Sequence, residues 1–182
     1  MRISRVLSAA GITLALCCLA AAQGPRSVLG YVESTSFWVD MPDGWQADQA
    51  AAKRVGAIFI LLPADSTFRS APFLVIASVF HSTSVDAAMA NDKASFLARD
   101  PDIMVSDKQQ IAAAAGQQFS VREFISAKLR NQAYETVAYV ALGPHVLALT
   151  CSAQTEPQYQ AALPAFQALL KTYALGAKVV TP

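Results

Sequence analysis

The sequence predicts an α+β fold in which a central antiparallel β-sheet is flanked by helices on both faces. Residues 55–62 and 73–80 are strongly apolar and do not alternate with polar residues, which is typical of strands covered on both faces. The later strand segments are joined by short connections, which predict antiparallel hairpins. Two segments with helical spacing of apolar residues, one central and one C-terminal, predict the covering helices.

The N-terminus has the features of a cleavable secretion signal. Arg2 and Arg5 give it a positive start, residues 6–19 are almost wholly apolar, and small residues occupy positions 20–22. The apolar stretch of about 17 residues lies at the lower edge of the roughly 17–25 residues that span a bilayer. No basic residue follows it directly, so we expect cleavage after Ala22 rather than a retained anchor. This signal predicts a periplasmic or secreted protein.

Two cysteines in the leader raise the alternative of a lipoprotein. A lipoprotein signal places a small residue before the modified cysteine, but Leu16 precedes Cys17, and Cys17 itself precedes Cys18. We therefore expect both to be apolar leader residues rather than lipid anchors. After cleavage Cys151 is the one cysteine left, so no intramolecular disulfide can form. The apolar residues before Cys151 predict a buried, unreactive thiol.

The mature chain is expected to be one domain with little net charge. Removal of the leader leaves about 160 residues and changes the formal charge from +1 to about −1. The basic residues form isolated pairs, which gives no support for a surface that binds nucleic acid or anionic membranes. We expect a flexible lead over residues 23–30, a folded domain over 31–176 and a tail over 177–182. No stable membrane span is expected after cleavage.

The domain opens with strand-forming residues that run into a tight turn. Residues 31–36 begin this segment, and residues 37–39 are expected to form the first strand of the sheet. Pro42 presets one turn dihedral and Gly44 supplies the permissive position of the Pro-Asp-Gly turn. The polar, alanine-rich residues 46–53 predict a loop or a short helical turn before the two apolar strands.

A helix over residues 85–98 and an antiparallel meander follow the apolar strands. Ser84 is a suitable N-cap, Asp86 favours the positive helix start, and Pro101 prevents continuation. The meander strands are predicted at residues 103–106, 110–114, 118–127, 133–142 and 145–152, with turns at 129–132 and 143–144.

The C-terminal helix is predicted from apolar residues that recur at helical spacing over residues 159–173. Thr155 and Gln158 have the spacing of a capping box, and Gly176 is suited to end the helix. Pro164 lies inside the apolar stripe, so we expect it to kink or split the helix.

The early strand, its turn and the final helix resemble the PsbP-like superfamily, which includes DcrB-like bacterial envelope proteins and the Mog Ran-binding protein. That group has an early aromatic-x-hydrophobic-x-hydrophobic-Pro-x-Gly-Trp segment and a closing helix with a phenylalanine and further apolar residues. The resemblance covers roughly residues 35–175 and departs from the usual final helix at Pro164. The matching residues are Phe37, Val39, Met41, Pro42, Gly44 and Trp45 in the strand, and Phe166, Leu169, Leu170 and Tyr173 in the helix.

This resemblance implies a PsbP-like αβα sandwich and a non-catalytic accessory, binding or chaperone-like role. It carries over no catalytic, cofactor-binding or metal-binding residue. The residues that it singles out are structural, namely Phe37, Val39, Pro42, Gly44, Trp45, Phe166 and Leu170.

The histidines and nearby serines give little support for catalysis or metal binding. His81 and His145 lack a second ligand at metal-binding spacing, so we interpret both as polar loop residues. Ser82 and Ser84 follow His81, but there is no Gly-x-Ser-x-Gly segment, and helix capping already accounts for Ser84.

The acidic residues offer two further alternatives. Asp100, Asp102 and Asp107 could supply oxygens to calcium, but without the EF-hand spacing we interpret them as solvated loop residues. Glu123 and Glu135 could meet across a hairpin as a glycosidase pair does. The neighbouring basic residues favour surface ion pairs instead; they are Arg122, Lys128 and Arg130.

Together these observations predict an exported, non-enzymatic accessory or binding module of the bacterial cell envelope. Trp38 and Trp45 could form an aromatic ligand platform, but we interpret them as residues that close the edge of the core. One alternative is a carrier or chaperone for an apolar ligand or peptide, which requires an open groove beside residues 55–62 or 73–80. The other is an enzyme whose histidines and acids meet in one pocket. No cofactor is expected, and the partner is an unknown protein, peptide or apolar ligand.

Overall fold

The computed structural model describes residues 26–82, 84–129 and 133–176. The leader, its cleavage site, the two leader cysteines and the C-terminal tail at 177–182 lie outside the described residues, as do residues 23–25 of the expected lead. Within the described ranges no helix is both long enough and apolar enough to cross a bilayer.

The described residues form ten strands and three helices. The strands are β1 (Arg26–Val32), β2 (Thr35–Met41), β3 (Trp45–Ala47), β4 (Phe59–Pro63), β5 (Phe73–Phe80), β6 (Met104–Ala112), β7 (Gln118–Ile125), β8 (Tyr134–Leu142), β9 (His145–Ala153) and β10 (Ala174–Leu175). The helices are α1 (Gln49–Val55), α2 (Val85–Arg99) and α3 (Glu156–Lys171).

The strands form two antiparallel sheets, which confirms the α+β class. The larger sheet has seven strands in the order β3-β4-β5-β9-β8-β7-β6, and the smaller has three in the order β1-β2-β10. Strands β5, β9 and β8 occupy the centre of the larger sheet. Strands β8 and β9 are mostly buried, whereas β5 is mostly half-buried, with only Val75 and Ala77 fully buried.

Helices cover both faces of the larger sheet, as predicted. On one face α3 and the smaller sheet pack together, and Phe166 and Phe37 are completely buried among residues of β5, β8 and β9. On the other face α1 covers Ile60 and Leu62 of β4. Farther along that face, the ring of Phe96 from α2 stacks on Phe124 of β7 with their centroids 4.0 Å apart.

The smaller sheet corrects two predictions. Residues 37–39 do not belong to the central sheet; they lie in β2, between β1 and β10. The expected flexible lead at 23–30 is wrong from Arg26 onward, because β1 begins there and pairs with β2 along its whole length. A Cβ atom on Gly30 would lie 2.4 Å from the Phe37 ring, so only glycine allows this close approach.

The strand predicted at residues 55–62 is shorter in the structure, because helix α1 extends to Val55. The Asp48 carboxylate accepts a hydrogen bond from the backbone N–H of Ala51 and caps this helix. Gly56 ends it with φ of 71°, a left-handed conformation that glycine adopts without strain. Strand β4 starts only at Phe59.

The two short strands predicted at 103–106 and 110–114 are one strand, β6. It pairs with β7 throughout, with a register shift between Lys108 and Ile111. This irregularity is a β-bulge in the middle of the strand, and it explains why the sequence pattern appears broken there.

Helix α3 differs from its prediction in its N-terminal capping and in the residue at which it ends. Thr155 is the N-cap, but its side chain makes no capping hydrogen bond, so the capping box does not form. The helix is not split at Pro164. Pro164 cannot donate to the carbonyl of Gln160, and both residues are exposed. Helix α3 ends at Lys171 with Thr172 as C-cap, before Gly176.

Candidate functional site

A groove of about 650 Å³ lies between helix α3 and the edge strand β6. One wall is formed by five successive residues of β6, Lys108 to Ala112, and the other by one side of α3. Residues of β7 and β8 form the floor. The remaining lining residues are Val121, Glu123, Thr136, Tyr159, Gln160, Leu163, Phe166, Gln167 and Lys171.

A chain of hydrogen bonds holds the floor of this groove. The hydroxyl of Tyr159, on α3, donates to Oε1 of Glu123 on β7 at 2.7 Å. The hydroxyl oxygens of Thr136 and Tyr159 lie 2.5 Å apart. Because Tyr159 gives its one proton to Glu123, the Thr136 hydroxyl must donate to Tyr159. This chain joins α3 to two strands of the sheet.

The second oxygen of Glu123 is also occupied. Oε2 accepts a hydrogen bond from Ser106 at 3.2 Å and forms a 2.7 Å ion pair with Nζ of Lys108. Burial raises the pKa of Glu123, but the hydrogen bonds from Lys108 and Tyr159 outweigh it, and the pKa lies below its usual value. The carboxylate is therefore charged and fully engaged at neutral pH.

The chemistry of this floor suits binding better than proton transfer. Burial and the Glu123 carboxylate raise the pKa of Tyr159, so its hydroxyl stays protonated. A general acid or base works best with a pKa near the operating pH, and both groups are shifted away from it. The network provides a rigid polar floor between apolar and amide-bearing walls.

A second groove, of about 520 Å³, lies beside β5 on the opposite face of the sheet. Leu74 and Ile76 of β5 are only partly buried there, because neither α1 nor α2 covers them fully. Its rim consists of the apolar residues Phe68, Ala71 and Pro72 together with the charged residue Arg69. This is the open groove beside residues 73–80 that the carrier alternative requires.

The two glutamates of the glycosidase alternative lie on opposite faces of the sheet. Glu123 is paired with Thr136 across β7 and β8, whereas Glu135 is paired with Phe124. Neighbouring residues of a strand point to opposite faces, so Glu123 faces α3 while Glu135 faces α2. The expected ion pairs also differ, since Glu123 pairs with Lys108 and Arg122 pairs with Asp107.

The three aspartates of the calcium alternative do not form one site. Asp100 is buried, which corrects its interpretation as a solvated residue, and it accepts hydrogen bonds from Ser126 at 2.5 Å and the backbone N–H of Asp102. The hydrogen bond from Ser126 is the main reason that the pKa of Asp100 lies below its usual value. Lys128 bridges Asp100 and Asp102, while Asp107 lies apart, beside Arg122.

The two histidines, far apart in sequence, meet at one end of the larger sheet. Their ring centroids lie 5.0 Å apart, edge to face, and Nε2 of His145 is 3.1 Å from Oε1 of Glu33. Ser84 caps α2 through a hydrogen bond from the backbone N–H of Ala87, as predicted. Over the described part of the chain, no three histidine, cysteine, aspartate or glutamate residues are arranged to hold a metal ion.

The tryptophans do not form a shared platform. Trp45 is 7% exposed and packs on Phe73, with ring centroids 5.2 Å apart. Trp38 lies half-buried on the outer face of the smaller sheet, opposite Leu29 of β1. The other residues of the family signature are mostly core residues: Phe37, Val39, Phe166 and Leu170 are completely buried. Pro42 is half-buried and Gly44 exposed, with φ of 76°.

Cys151 is completely buried among apolar residues, as predicted. Burial raises the pKa of its thiol to about 12. The thiol is therefore protonated and inaccessible, which leaves it without nucleophilic character at neutral pH.

Sequence reasoning missed four of the five residues in the Glu123 network: Ser106, Lys108, Thr136 and Tyr159. Tyr159 was assigned to the apolar stripe of the final helix, and the other three lie in strands. The available signal was the strand register, because it places Thr136 directly opposite Glu123. Where two strands are not joined by a short glycine-containing turn, the sequence does not determine which residues of the two strands lie opposite each other.

The molecule is an α+β domain with a PsbP-like fold. Sixteen chains of solved structures match it, among them the solution structure of cyanobacterial PsbP (CyanoP) from Synechocystis sp. PCC 6803. That likeness has a TM-score of 0.50 at 11% sequence identity and covers 88% of this chain and 99% of CyanoP. The identity is low, so the likeness establishes the fold, in agreement with the sequence signature.

A second solved structure, from Bacteroides thetaiotaomicron VPI-5482, is more distant. It is 14% identical with a TM-score of 0.39, and covers 78% of this chain and 46% of the other. At that score it adds nothing to the assignment. No protein-family model and no curated protein matches the chain.

Proposed function

We propose that the protein is an exported, non-enzymatic binding module of the bacterial cell envelope, which holds its ligand in the groove between α3 and β6. The observation that carries this proposal is the groove itself, with its floor fixed by the Glu123, Tyr159 and Thr136 hydrogen bonds. Concave sites with apolar walls and a few positioned polar groups are the usual form of ligand sites.

The positions of the candidate catalytic residues support a non-enzymatic role. The histidines meet at one sheet end, Glu123 and Glu135 occupy opposite faces, and Asp100 is held by Ser126. An enzyme needs its acid, base and nucleophile within hydrogen-bond reach of one substrate. Among the described residues these groups are dispersed.

Export rests on the N-terminal leader, with its two arginines, apolar stretch and small residues before position 23. We propose that it is cleaved and that the mature protein is periplasmic or secreted. Cell fractionation with mass spectrometry of the mature N-terminus tests this. A mature chain starting near Gln23 agrees with the proposal, whereas an acylated Cys17 or Cys18 would show a lipoprotein.

Site-specific photo-crosslinking in the living cell tests the groove as a ligand site. A photoreactive residue at Gln167, which lines the groove, should give a discrete adduct. The matched control is Ala168, its exposed neighbour on the same helix, which does not line the groove. Equal labelling from both positions, or none from Gln167, would overturn the groove as the site.

The groove beside β5 supports a second candidate function, a carrier for an apolar ligand. Its partly buried Leu74 and Ile76 offer an apolar floor without the polar network of the first groove. An environment-sensitive apolar dye should then fluoresce with the folded protein and lose its signal in Ile76→Asp. If the folded protein gives no signal, the carrier function fails.

A further inference from the structure

We propose that the groove binds an extended peptide, which adds a strand to the open edge of β6. This inference rests on the proposed function, because it names the ligand class of the same groove. It depends on three features of the described part of the chain: a strand edge without a backbone partner, a helix that runs beside that edge, and one lining lysine at the end of the groove without an ion pair.

Strand β6 is the last strand of the larger sheet and pairs with β7 on one side. On its other side, no backbone group of a described residue forms a hydrogen bond to Met104–Ala112. The N–H and C=O groups on this side of the nine-residue strand therefore have no backbone partner among the described residues, and they offer a template for another strand on either side of the bulge between Lys108 and Ile111.

The charges of β6 do not protect this edge. Edge strands are often blocked by proline or by free lysines, but Met104–Ala112 contains no proline. Its two charged side chains are held by β7: Asp107 lies 2.6 Å from Nε of Arg122, and Lys108 lies 2.7 Å from Glu123. The bulge at Gln109 and Gln110 shifts the register of the pairing with β7, and both residues lie in the groove wall.

Helix α3 supplies the second wall along the whole groove. Gln160, Leu163, Gln167 and Lys171 recur at intervals of three or four residues, and all four line it. From Tyr159 to Lys171 the helix rises about 18 Å at about 1.5 Å per residue. An extended chain of about five or six residues spans that length at about 3.3 Å per residue.

The lining residues define the chemistry of the peptide. Ile111 and Leu163 are partly buried and present apolar surface, which suits apolar side chains at every second position of an extended chain. Lys108 is neutralised by Glu123, whereas no ion pair joins Lys171 to any residue that the structure describes. The preferred peptide therefore alternates apolar residues and carries a carboxylate near Lys171.

A phage library of random octapeptides, selected on the mature protein, tests this inference. We expect enrichment of proline-free sequences with alternating apolar residues and an acidic residue toward one end. Alternate N–H groups of an extended peptide point to opposite edges. In a synthetic copy of a selected peptide, N-methylation of the set that faces β6 should abolish binding, and N-methylation of the other set should leave binding unchanged. Hydrogen exchange should show new protection of β6 amides in the complex.

Three variants of α3 identify the groove as the site. Lys171→Glu and Leu163→Asp should each weaken binding of the selected peptide at least about tenfold, a change of about 1.4 kcal/mol. Ala168→Asp, on the exposed side of the same helix, should bind as the original protein does. Lys171→Glu should in turn prefer a peptide whose acid is replaced by lysine, which shows that the variant is folded.

The outcome separates this inference from the proposed function. A polypeptide adduct at Gln167 with protection of β6 supports both. Two outcomes overturn the peptide inference and leave the groove as a binding site. One is a small-molecule adduct at Gln167, and the other is a selection in which no peptide is enriched more strongly on the original protein than on the Leu163→Asp variant. Absence of any adduct at Gln167 overturns both.

Discussion

Tyr159 and Tyr173 are both buried, but among the residues that the structure describes only the Tyr159 hydroxyl has a hydrogen-bond partner. Tyr159 links Glu123 and Thr136, whereas no described residue forms a hydrogen bond with the Tyr173 hydroxyl, in a side chain that is 0% exposed. Burial raises the pKa of Tyr173, so its hydroxyl stays protonated, and within the described ranges it has no hydrogen-bond acceptor. Removing an unsatisfied buried group is neutral or stabilising, and removing a bonded one is costly.

We therefore predict opposite effects of the same substitution at these two positions. Tyr173→Phe should raise the free energy of unfolding by up to about 1 kcal/mol, and Tyr159→Phe should lower it by about 1–2 kcal/mol. Urea unfolding of both variants provides the measurement, and each is the other's control. A loss of stability in Tyr173→Phe would show that its hydroxyl has a partner.

Glu123 should make stability depend on pH. Its pKa in the folded protein lies below the usual value, so its contribution is present above the unfolded pKa and is lost as pH falls through the folded pKa. Glu123→Gln should cost about 1–2 kcal/mol at pH 7, the size of a hydrogen bond to a charged group. The difference from the original protein should shrink below about pH 4.5.

Urea titrations between pH 3 and pH 7 measure this difference in the free energy of unfolding. Asp43→Asn, in the exposed turn after β2, is the control for loss of one acidic charge. A Glu123→Gln deficit that stays constant down to pH 3 would argue against a lowered pKa.

At the scale of the elements, Pro164 lowers the stability of helix α3. A proline inside a helix removes one backbone hydrogen bond and typically costs about 3 kcal/mol or more. Since Pro164 is exposed, alanine can restore that bond without disturbing the core. We predict that Pro164→Ala stabilises the protein by about 1–3 kcal/mol.

The matched control is Pro157, in the first turn of the same helix. Proline is favoured there because the missing N–H has no partner within the helix. Pro157→Ala should therefore change the melting temperature little, whereas Pro164→Ala should raise it. A lower melting temperature for Pro164→Ala would mean that the proline is required for the path of α3.

The sequence predicted elements whose signals are local. Strand β5 has the predicted bounds, and α2 begins where Ser84 and Asp86 indicated. The apolar pattern alone could not separate α1 from β4, because Val55 and Ala57 suit both a helix end and a strand start. Asp48 and Gly56 cap the two ends of α1, but residues of these types can be identified as caps only once the helix itself has been recognised.

Pairing between distant segments could not be predicted in this way. Strand β10 is two residues long and joins β2 through Trp38 and Ala174, a pair that no local pattern links. The groove depends on similar long-range geometry, since α3 lies beside β6 only once both are packed on the sheet. Its Glu123 was recognised as a candidate, but its partners followed only from the register.

At the scale of the whole molecule, the larger sheet separates two large apolar cores, with a smaller third cluster beneath α1. One contains Phe37 and Phe166 between the sheet and α3, and the other contains Phe96 and Phe124 beneath α2. Both cores are built on the same strands β8 and β9, whose side chains alternate between them. Loss of either core should therefore destabilise the strands that support the other.

We predict one cooperative unfolding transition that involves both cores. Trp38 and Trp45 are the only tryptophans, and they lie in β2 and β3, away from the α2 core, so their fluorescence reports the α3 side. Phe96→Leu removes stacking on Phe124 in the α2 core and should cost about 1–2 kcal/mol. The urea midpoint from fluorescence and that from circular dichroism should decrease together, with an unchanged slope. If the fluorescence midpoint stayed in place while circular dichroism shifted, the faces would unfold separately, and ligand binding in the α3 groove could not stabilise α2.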